Sequence, residues 1–227
     1  MVTGPSTPGR QAPSSPGEDP GRAAVPAGLA SCPVIAILRR LPPLAVLPLA
    51  RALVASGLRV LEVTVDSPDA MSLISSLRDQ LPELTVGAGT VLDARTARRA
   101  ISAGAGFLVC PHTDRELLDF ARDSGVPLIP GAATASEAVA AWKGGAAAVK
   151  LFPASLLGLR TLDALRDPLP HIRFIAVGGI DATNAADFIT HGCIAVGVGS
   201  WLVAGGDPDA AHERAGLLMG TLRPSAP

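Results

Sequence analysis

Short apolar runs recur along the chain from Cys32 onward, and each is followed by a longer segment in which apolar residues return at helical spacing. Runs that are apolar throughout, rather than alternating with polar residues, are typical of parallel strands buried on both faces. The pattern predicts eight strands, at Val34–Leu38, Val60–Val65, Thr85–Val91, Phe107–Cys110, Pro127–Pro130, Ala148–Phe152, Phe174–Val177 and Ala195–Val198.

The segments between these runs predict helices, and several of them carry start or stop signals. Asp93 and Asp181 stand at expected N-cap positions, and Thr134 with Glu137 three residues later forms a capping-box pattern. Glycines follow several of the predicted helix ends, at Gly57, Gly104, Gly125, Gly144 and Gly192. The predicted helices are Leu44–Ser56, Pro68–Gln80, Ala94–Ala103, Asp114–Ser124, Ala135–Lys143, Leu159–Arg166, Thr183–Thr190 and Pro208–Leu222.

Eight strand–helix units predict an α/β protein with a single (β/α)8 TIM barrel over residues 31–227. An open doubly wound sheet is the alternative, but that fold does not require so regular a repeat. Residues 1–30 are rich in Pro, Gly and Ser and carry few large apolar side chains, so we expect a disordered N-terminal tail. In a barrel, the active residues lie at the carboxyl ends of the strands.

Composition excludes several classes of function. A formal net charge of -1 provides no electrostatic footprint for nucleic acid or an acidic membrane. No apolar run reaches the roughly 18 residues that a bilayer crossing needs, and the start of the chain lacks a signal-peptide pattern, so we expect a cytoplasmic protein. Cys32, Cys110 and Cys193 form no CxxC pair and are expected to be buried and reduced. The histidines form no ligand-spaced pair, so we expect no metal site.

Two charged residues stand inside apolar runs, Glu62 in Val-Leu-Glu-Val-Thr-Val and Lys150 in Ala-Val-Lys-Leu-Phe. The chain has two lysines against 17 arginines, so a lysine in a buried strand indicates chemistry that a guanidinium cannot perform, namely attack on a carbonyl by a neutral amine. Because a charge facing the helices would be poorly solvated, we expect both side chains in the barrel lumen. The pair fits a Schiff-base lysine with a general acid/base. A structural ion pair, or a lysine reaching solvent from a strand end, is the alternative.

The last two strands end in glycine-bearing turns, Val-Gly-Gly-Ile at 177–180 and Val-Gly-Ser-Trp at 198–201. Their backbone N–H groups can approach an anion closely, and in barrels the corner after the seventh and eighth strands is a frequent phosphate site. A Gly-Gly pair is also common in ordinary tight turns. Together the two ends predict a phosphorylated substrate.

These motifs resemble those of the 2-keto-3-deoxy-6-phosphogluconate aldolase family. The resemblance rests on Leu-Glu-Val-Thr at 61–64, Val-Gly-Ala-Gly-Thr-Val at 86–91, Pro-Leu-Ile-Pro-Gly at 127–131, Val-Lys-Leu-Phe-Pro-Ala at 149–154, Val-Gly-Gly-Ile at 177–180 and Gly-Ser-Trp-Leu at 199–202. It implies a class I aldolase with a barrel fold, no metal and no cofactor, commonly a homotrimer. The implied reaction cleaves a 2-keto-3-deoxy-6-phospho sugar acid to pyruvate and glyceraldehyde 3-phosphate.

The resemblance also implies a role for individual residues. Lys150 would form the imine, Glu62 would act as acid/base through a water, and Thr90 would contact the pyruvyl part of the substrate. The phosphate would be held by Gly178, Gly179, Gly199 and Ser200. Phe152 and Pro111 would shape the walls of the pocket.

One position departs from the family pattern. The phosphogluconate branch usually has an arginine four residues after the glutamate, where it binds the substrate carboxylate, whereas this chain has Asp66. Since a carboxylate cannot replace that cation, Arg39 at the end of the first strand is our candidate, unless Arg39 and Arg40 form only a solvated basic turn. The Ala-Ile-Leu-Arg stretch resembles the 2-dehydro-3-deoxy-6-phosphogalactonate branch and favours that epimer, or a specificity that covers both.

Two other functions fit the same residues. The first is 4-hydroxy-2-oxoglutarate cleavage or oxaloacetate decarboxylation through the same imine. The second is a catalytically inactive barrel that binds a sugar phosphate, an alternative that Asp66 keeps open.

Overall fold

The computed structural model describes residues 22–222, in which parallel strands alternate with helices. The strands are β1 Val34–Leu38, β2 Val60–Thr64, β3 Thr85–Gly89, β4 Leu108–Val109, β5 Leu128–Ile129, β6 Gly131–Ala132, β7 Val149–Leu151, β8 Phe174–Val177 and β9 Ala195–Val198. They are hydrogen-bonded in the order β5-β4-β3-β2-β1-β9-β8-β7-β6, so the two ends of the sheet belong to neighbouring strands of the sequence.

Pro130 explains why the structure has nine strands where the sequence predicts eight. The predicted fifth strand, Pro127–Pro130, is two short strands on either side of this proline and extends to Ala132. Proline has no N–H to donate, so it interrupts the ladder, although its carbonyl still accepts from the Lys150 amide at 2.8 Å. Because β5 pairs with β4 and β6 pairs with β7, this one segment brings the ring together. The barrel prediction is confirmed and the open-sheet alternative is wrong.

Alternation along the strands divides the core into two layers. In β1, Ile35 and Ile37 belong to the cluster that fills the lumen, whereas Val34, Ala36 and Leu38 belong to the cluster under the helices. Every residue of β1 is buried, which is why the sequence shows an unbroken apolar run.

The helices follow the predicted positions, with differences at their ends. Their bounds are α1 Pro43–Ala55, α2 Ala70–Gln80, α3 Ala94–Ser102, α4 Arg115–Ser124, α5 Ala135–Lys143, α6 Ala154–Arg166, α7 Ala185–Thr190, α8 Ser200–Val203 and α9 Pro208–Leu222, with 3-10 turns at Ala27–Ala30 and Ala204–Gly206. The short helix α8 is not among the helices predicted from the sequence. The sequence predicts a helix from Leu159, whereas α6 begins at Ala154 and is interrupted at Gly158, which has a φ of 74°.

The predicted caps have mixed outcomes. Asp93 accepts a hydrogen bond from the Thr96 amide, and Thr134 and Glu137 form the predicted capping box. The Asp181 N-cap was wrong, because its carboxylate accepts from the amide of Thr183 at 2.7 Å and α7 begins only at Ala185. The side chain of Asp181 therefore stabilises the loop before the helix.

The segment just before residue 31 is packed, which corrects the predicted boundary of the tail. Leu29 is buried in the lumen cluster together with Val60, the first residue of β2, so it closes the barrel at the amino ends of the strands. Further upstream, the Arg22 guanidinium donates to the carbonyls of Trp142 and Ala146 at 3.0 and 2.7 Å. Residues 1–21 of the predicted tail lie outside the described residues.

Two further expectations can be compared with the structure. Cys32, Cys110 and Cys193 are all buried and free of disulfides, as predicted. Over residues 22–222, none of the helices combines the length and the apolarity required to cross a membrane.

Candidate active site

The strand register places Lys150 and Glu62 in the lumen. Lys150 on β7 is paired with Ile175, and Glu62 on β2 is paired with Ile37; both partners are lumen residues. The exposed fractions are 3% for Lys150 and 1% for Glu62. Aligned residues of neighbouring parallel strands face the same side of the sheet, so both charged side chains point into the barrel.

Burial decides the electrostatics of Lys150. It lowers the pKa of the amine below its usual value; the Glu62 carboxylate opposes this shift and the Arg39 cation adds to it. The Nζ atom lies 4.8 Å from the centre of the Phe152 ring. The lowered pKa increases the fraction of neutral amine, which is the form that attacks a carbonyl.

Burial has the opposite effect on Glu62 because the charged form of this group is the deprotonated one. It raises the pKa of the carboxyl group, while Lys150 and Arg39 lower it and Asp66 raises it. The Oε1 atom is buried and has no hydrogen-bond partner among the described residues. Glu62 and Lys150 act on each other through space, and no direct ion pair joins these two residues.

Gly89, the last residue of β3, is what allows the Glu62 side chain to adopt this position. A Cβ atom at residue 89 would overlap the Glu62 carboxylate. The glycine therefore leaves open a space that the side chain of any other residue would fill. This explains why the second glycine of the Val-Gly-Ala-Gly-Thr motif is needed here: it accommodates the Glu62 carboxylate.

A cavity of about 610 Å³ opens above Lys150 at the carboxyl ends of the strands. It contains most of the residues predicted from the sequence. Those that line it are Arg39, Lys150, Phe152, Gly178, Gly179, Gly199 and Ser200.

Glu62, Thr90 and Pro111 lie outside that lining. Glu62 is buried against Gly89. Thr90, with the left-handed φ of 60°, accepts a hydrogen bond from Arg39 Nη2 at 2.9 Å and so joins the site through that residue. Pro111 is half-buried and its carbonyl packs where a side chain on Gly131 would otherwise stand.

The glycine corner, defined as Gly178, Gly179, Gly199 and Ser200, follows β8 and β9. It has the geometry expected of tight turns at the end of β8. Gly178 and Gly179 adopt φ values of 99° and 71°, and a Cβ on Gly179 would overlap the Ser155 hydroxyl. Gly199 precedes α8, whose first residue is Ser200. These glycines, Ser200 and Lys150 thus line the same cavity.

Asp66 lies at the mouth and contacts both arginines that follow β1. Its Oδ2 atom accepts from Arg40 Nε at 2.8 Å, and lies 2.8 Å from Arg40 Nη2 and 3.3 Å from Arg39 Nη1. Partial burial acts to raise the pKa of Asp66, but hydrogen bonding from Thr64 and the two cations outweigh it, so the pKa is lowered. The carboxylate is 24% exposed and the Arg39 side chain 47%.

Sequence reasoning missed several residues of the cavity and its rim. Arg40, Asp181, Trp201 and Gly205 also line the cavity. The contact between Asp66 and both arginines depends on the pairing of Leu38 with Val63 across β1 and β2, which brings the ends of these two strands together. The only available signal was that opposite charges follow two neighbouring strands.

Away from this cavity, the described residues show one larger groove and no cluster of metal ligands. A groove of about 810 Å³ on the outside of the barrel runs along α4 and is lined by residues of both charges, such as Arg98, Arg115 and Asp119, and none of the predicted site residues. Within residues 22–222, there is no group of three or more His, Cys, Asp or Glu side chains that could hold a metal ion.

Comparison with known proteins gives matches over most of the chain. The sequence model of the family described as KDPG and KHG aldolase matches residues 25–212. A 2-dehydro-3-deoxy-phosphogluconate aldolase from Pseudomonas aeruginosa is 43% identical over 170 residues, which cover 74% of this chain and 76% of that protein.

Solved structures show the same similarity. A native KDPGal structure superposes with a TM-score of 0.80 at 33% identity, covering 83% of this chain and 93% of the other. A KDPG aldolase from Legionella pneumophila, with pyruvate captured at low pH as a covalent carbinolamine intermediate, has a TM-score of 0.76 and 33% identity, covering 90% and 97% of the two chains.

Proposed function

The chain belongs to the KDPG and KHG aldolase family, and we propose that it cleaves a 2-keto-3-deoxy-6-phospho sugar acid to pyruvate and glyceraldehyde 3-phosphate through an imine on Lys150. The observation that carries this proposal is the position of Lys150, a buried amine whose pKa is lowered and which faces the same cavity as Arg39 and the glycine corner.

The reaction starts with attack of the neutral Lys150 amine on the C2 carbonyl of the substrate. The carbinolamine that forms loses water to give an iminium ion. Deprotonation of the C4 hydroxyl then breaks the C3–C4 bond, releases the aldehyde and leaves the electron pair in an enamine. Protonation of the enamine at C3 and addition of water to the iminium carbon release pyruvate and free the amine.

Glu62 is the proton carrier in this scheme. Its Oε1 atom is buried without a hydrogen-bond partner among the described residues, and its raised pKa allows the group to hold a proton more readily than an exposed glutamate does. Because it makes no direct ion pair with Lys150, we assign its proton transfers to a bridging water. Thr90 contacts the pyruvyl part, and Phe152 shapes a wall of the cavity.

The phosphate and the carboxylate of the substrate are assigned to different residues of the cavity lining. Gly178, Gly179, Gly199 and Ser200 supply amide and hydroxyl donors for the phosphate. Arg39, which lines the same cavity and follows β1, binds the carboxylate. The KDPGal similarity and this position of the arginine favour the phosphogalactonate epimer as a substrate.

A second candidate is cleavage of 4-hydroxy-2-oxoglutarate, which the family description favours, and oxaloacetate decarboxylation would use the same imine. To distinguish the candidates, purified protein is assayed for pyruvate release from both phospho sugar acids, 4-hydroxy-2-oxoglutarate and oxaloacetate. We expect the phosphorylated substrates to have the highest kcat/KM. We also expect Ser200→Ala to raise KM only for those substrates, by roughly tenfold if one charged hydrogen bond is lost. Release of pyruvate from none of them would identify a binding protein without activity and contradict the proposal.

We also propose that the protein acts as a homotrimer in the cytoplasm. The family resemblance implies the trimer, and Leu44 and Leu156, which are 92% and 84% exposed, provide apolar surface that association would cover. The free cysteines fit a reducing compartment. Light scattering would test the assembly against the chain mass of 22.9 kDa, and cell fractionation would test the compartment.

A further inference from the structure

The mouth cluster, defined as Arg39, Arg40 and Asp66, has an uneven distribution of contacts. Arg40 reaches the Asp66 carboxylate with two nitrogens, both at 2.8 Å. Arg39 reaches the same oxygen with one nitrogen at the longer distance of 3.3 Å and uses another to donate to Thr90 at 2.9 Å. Arg40 is therefore the main counter-ion of Asp66.

This arrangement leaves Arg39 with unused donors and with most of its charge. A guanidinium has five N–H donors in a planar fork, and Asp66 and Thr90 contact only two nitrogens of Arg39. Two cations and one anion leave the mouth cluster itself with a net positive charge. Arg39 is fixed in direction without being neutralised.

The loops that carry the cluster are tied together by further hydrogen bonds. The Arg40 amide donates to Ser67 Oγ at 2.8 Å, and Ser67 Oγ lies 3.0 Å from Thr64 Oγ1. Arg40 and Thr90 both adopt left-handed φ values, 52° and 60°, which non-glycine residues adopt only when their surroundings hold them there. The cluster is thus a built feature of the mouth: its residues come from the loops after β1 and β2, and Thr90 contacts it from the loop after β3.

We propose that Asp66 is a positioning residue that, with Arg40 as its counter-ion, holds the Arg39 guanidinium toward Thr90 and the cavity so that it binds the carboxylate of the 2-keto acid. The inference rests on the proposed function, since it assigns the acid end of the same substrate. It also explains how an aspartate can stand beside the binding site of an anion.

The test uses pyruvate and the neutral ketone hydroxyacetone as probes of the full-length protein. Each ketone is titrated, the imine is reduced with borohydride, and the fraction of Lys150 modified gives a half-saturation concentration. The ratio of the two values reports recognition of the carboxylate separately from imine formation. The variants are Arg39→Ala, Asp66→Asn and the double variant, and Asp79→Asn, which alters an exposed pair with Arg78, is the matched control.

We expect Arg39→Ala to reduce the preference for pyruvate by about tenfold or more, the loss of a charged hydrogen bond. Asp66→Asn keeps the shape of the side chain but removes the charged carboxylate that holds Arg39. The preference of this variant for pyruvate should therefore fall by roughly three- to tenfold. In the double variant, Asp66→Asn should add nothing to Arg39→Ala, because it acts only through that arginine. The control should match the wild type.

Several results would overturn the inference. An unchanged preference in Asp66→Asn would show that Arg39 does not need the anchor, and independent, multiplying effects in the double variant would show that Asp66 acts elsewhere. Equal weakening for both ketones would indicate a general loss of structure, which thermal unfolding would reveal. If the wild type forms no adduct on Lys150, the proposed function fails and this inference fails with it; an adduct with unchanged preference removes the inference alone.

Discussion

The lumen and the mouth of the barrel both hold opposite charges, but they arrange them in opposite ways. In the lumen, Lys150 and Glu62 are nearly fully buried and make no direct ion pair, so burial moves both pKa values toward the neutral forms. At the mouth, Asp66 is partly exposed and touches two arginines, and its pKa is lowered. Burial without contact keeps groups reactive, whereas contact near solvent keeps them charged and fixed in direction.

This difference assigns separate kinetic consequences to the two regions. Changes in the lumen should lower kcat, because they remove groups that act on the reacting atoms. Changes at the mouth should raise KM, because they weaken binding of the carboxylate in the ground state and transition state alike.

The largest effect is expected for Lys150→Arg, which keeps a positive charge and removes the amine that can lose its proton. Turnover should fall by more than about 10³-fold, since no other group can form the imine. The matched control is Lys143→Arg, the same change at the exposed end of α5, which should leave kcat unaltered. Retained activity in Lys150→Arg would mean that the lumen lysine contributes only its positive charge and forms no imine.

Glu62→Gln should have the next largest effect. The amide preserves size and loses proton transfer, so kcat should fall by about 10²- to 10⁴-fold with little change in KM. Glu83→Gln changes an exposed glutamate and serves as its control. A rise in KM without a fall in kcat would show that Glu62 acts in substrate binding, as the mouth residues do, and would contradict the division between lumen and mouth.

Gly89→Ala tests whether the position of the Glu62 carboxylate matters. The added methyl group would occupy the space of that carboxylate, and a displacement of about 1 Å can cost about 10²-fold in rate. Gly216→Ala in α9, where a Cβ meets open space, is the control. Steady-state kinetics should show a lower kcat for the first variant alone, and equal kcat values would separate Gly89 from catalysis.

The smallest effect is a displacement of the pH profile of imine formation. Lys150 must be neutral to react, so the trapping rate should rise as pH increases through its lowered pKa. The Glu62 carboxylate raises that pKa and Arg39 lowers it. Glu62→Gln should therefore move the rise to lower pH, and Arg39→Ala to higher pH. Displacements in the same direction would contradict the electrostatic account of the lumen.

The sequence predicted the barrel well because burial leaves a direct trace in the hydrophobic pattern. All eight apolar runs contain strands of the barrel, and Lys150 and Glu62 were noticed because a charge in such a run is costly. Local rules failed where tertiary context decides, as at Pro130, which divides a strand, and at Asp181, whose carboxylate binds the Thr183 amide instead of capping a helix.

The mouth cluster could not be derived from the sequence in the same way. Asp66 was seen only as a missing cation, because its contacts with Arg39 and Arg40 span 27 and 26 positions of the chain. They arise from the register between β1 and β2, and no periodicity in the sequence specifies which side chains meet across the ends of two strands.

The central claim is that the Lys150 amine forms an imine with a 2-keto acid, and borohydride reduction in the presence of pyruvate tests it most directly. Mass analysis of peptides should find the reduced adduct on Lys150, no adduct on Lys143, and none anywhere in the Lys150→Ala variant, with that variant still folded. Absence of an adduct in the wild type, or its appearance on another residue, would contradict the account.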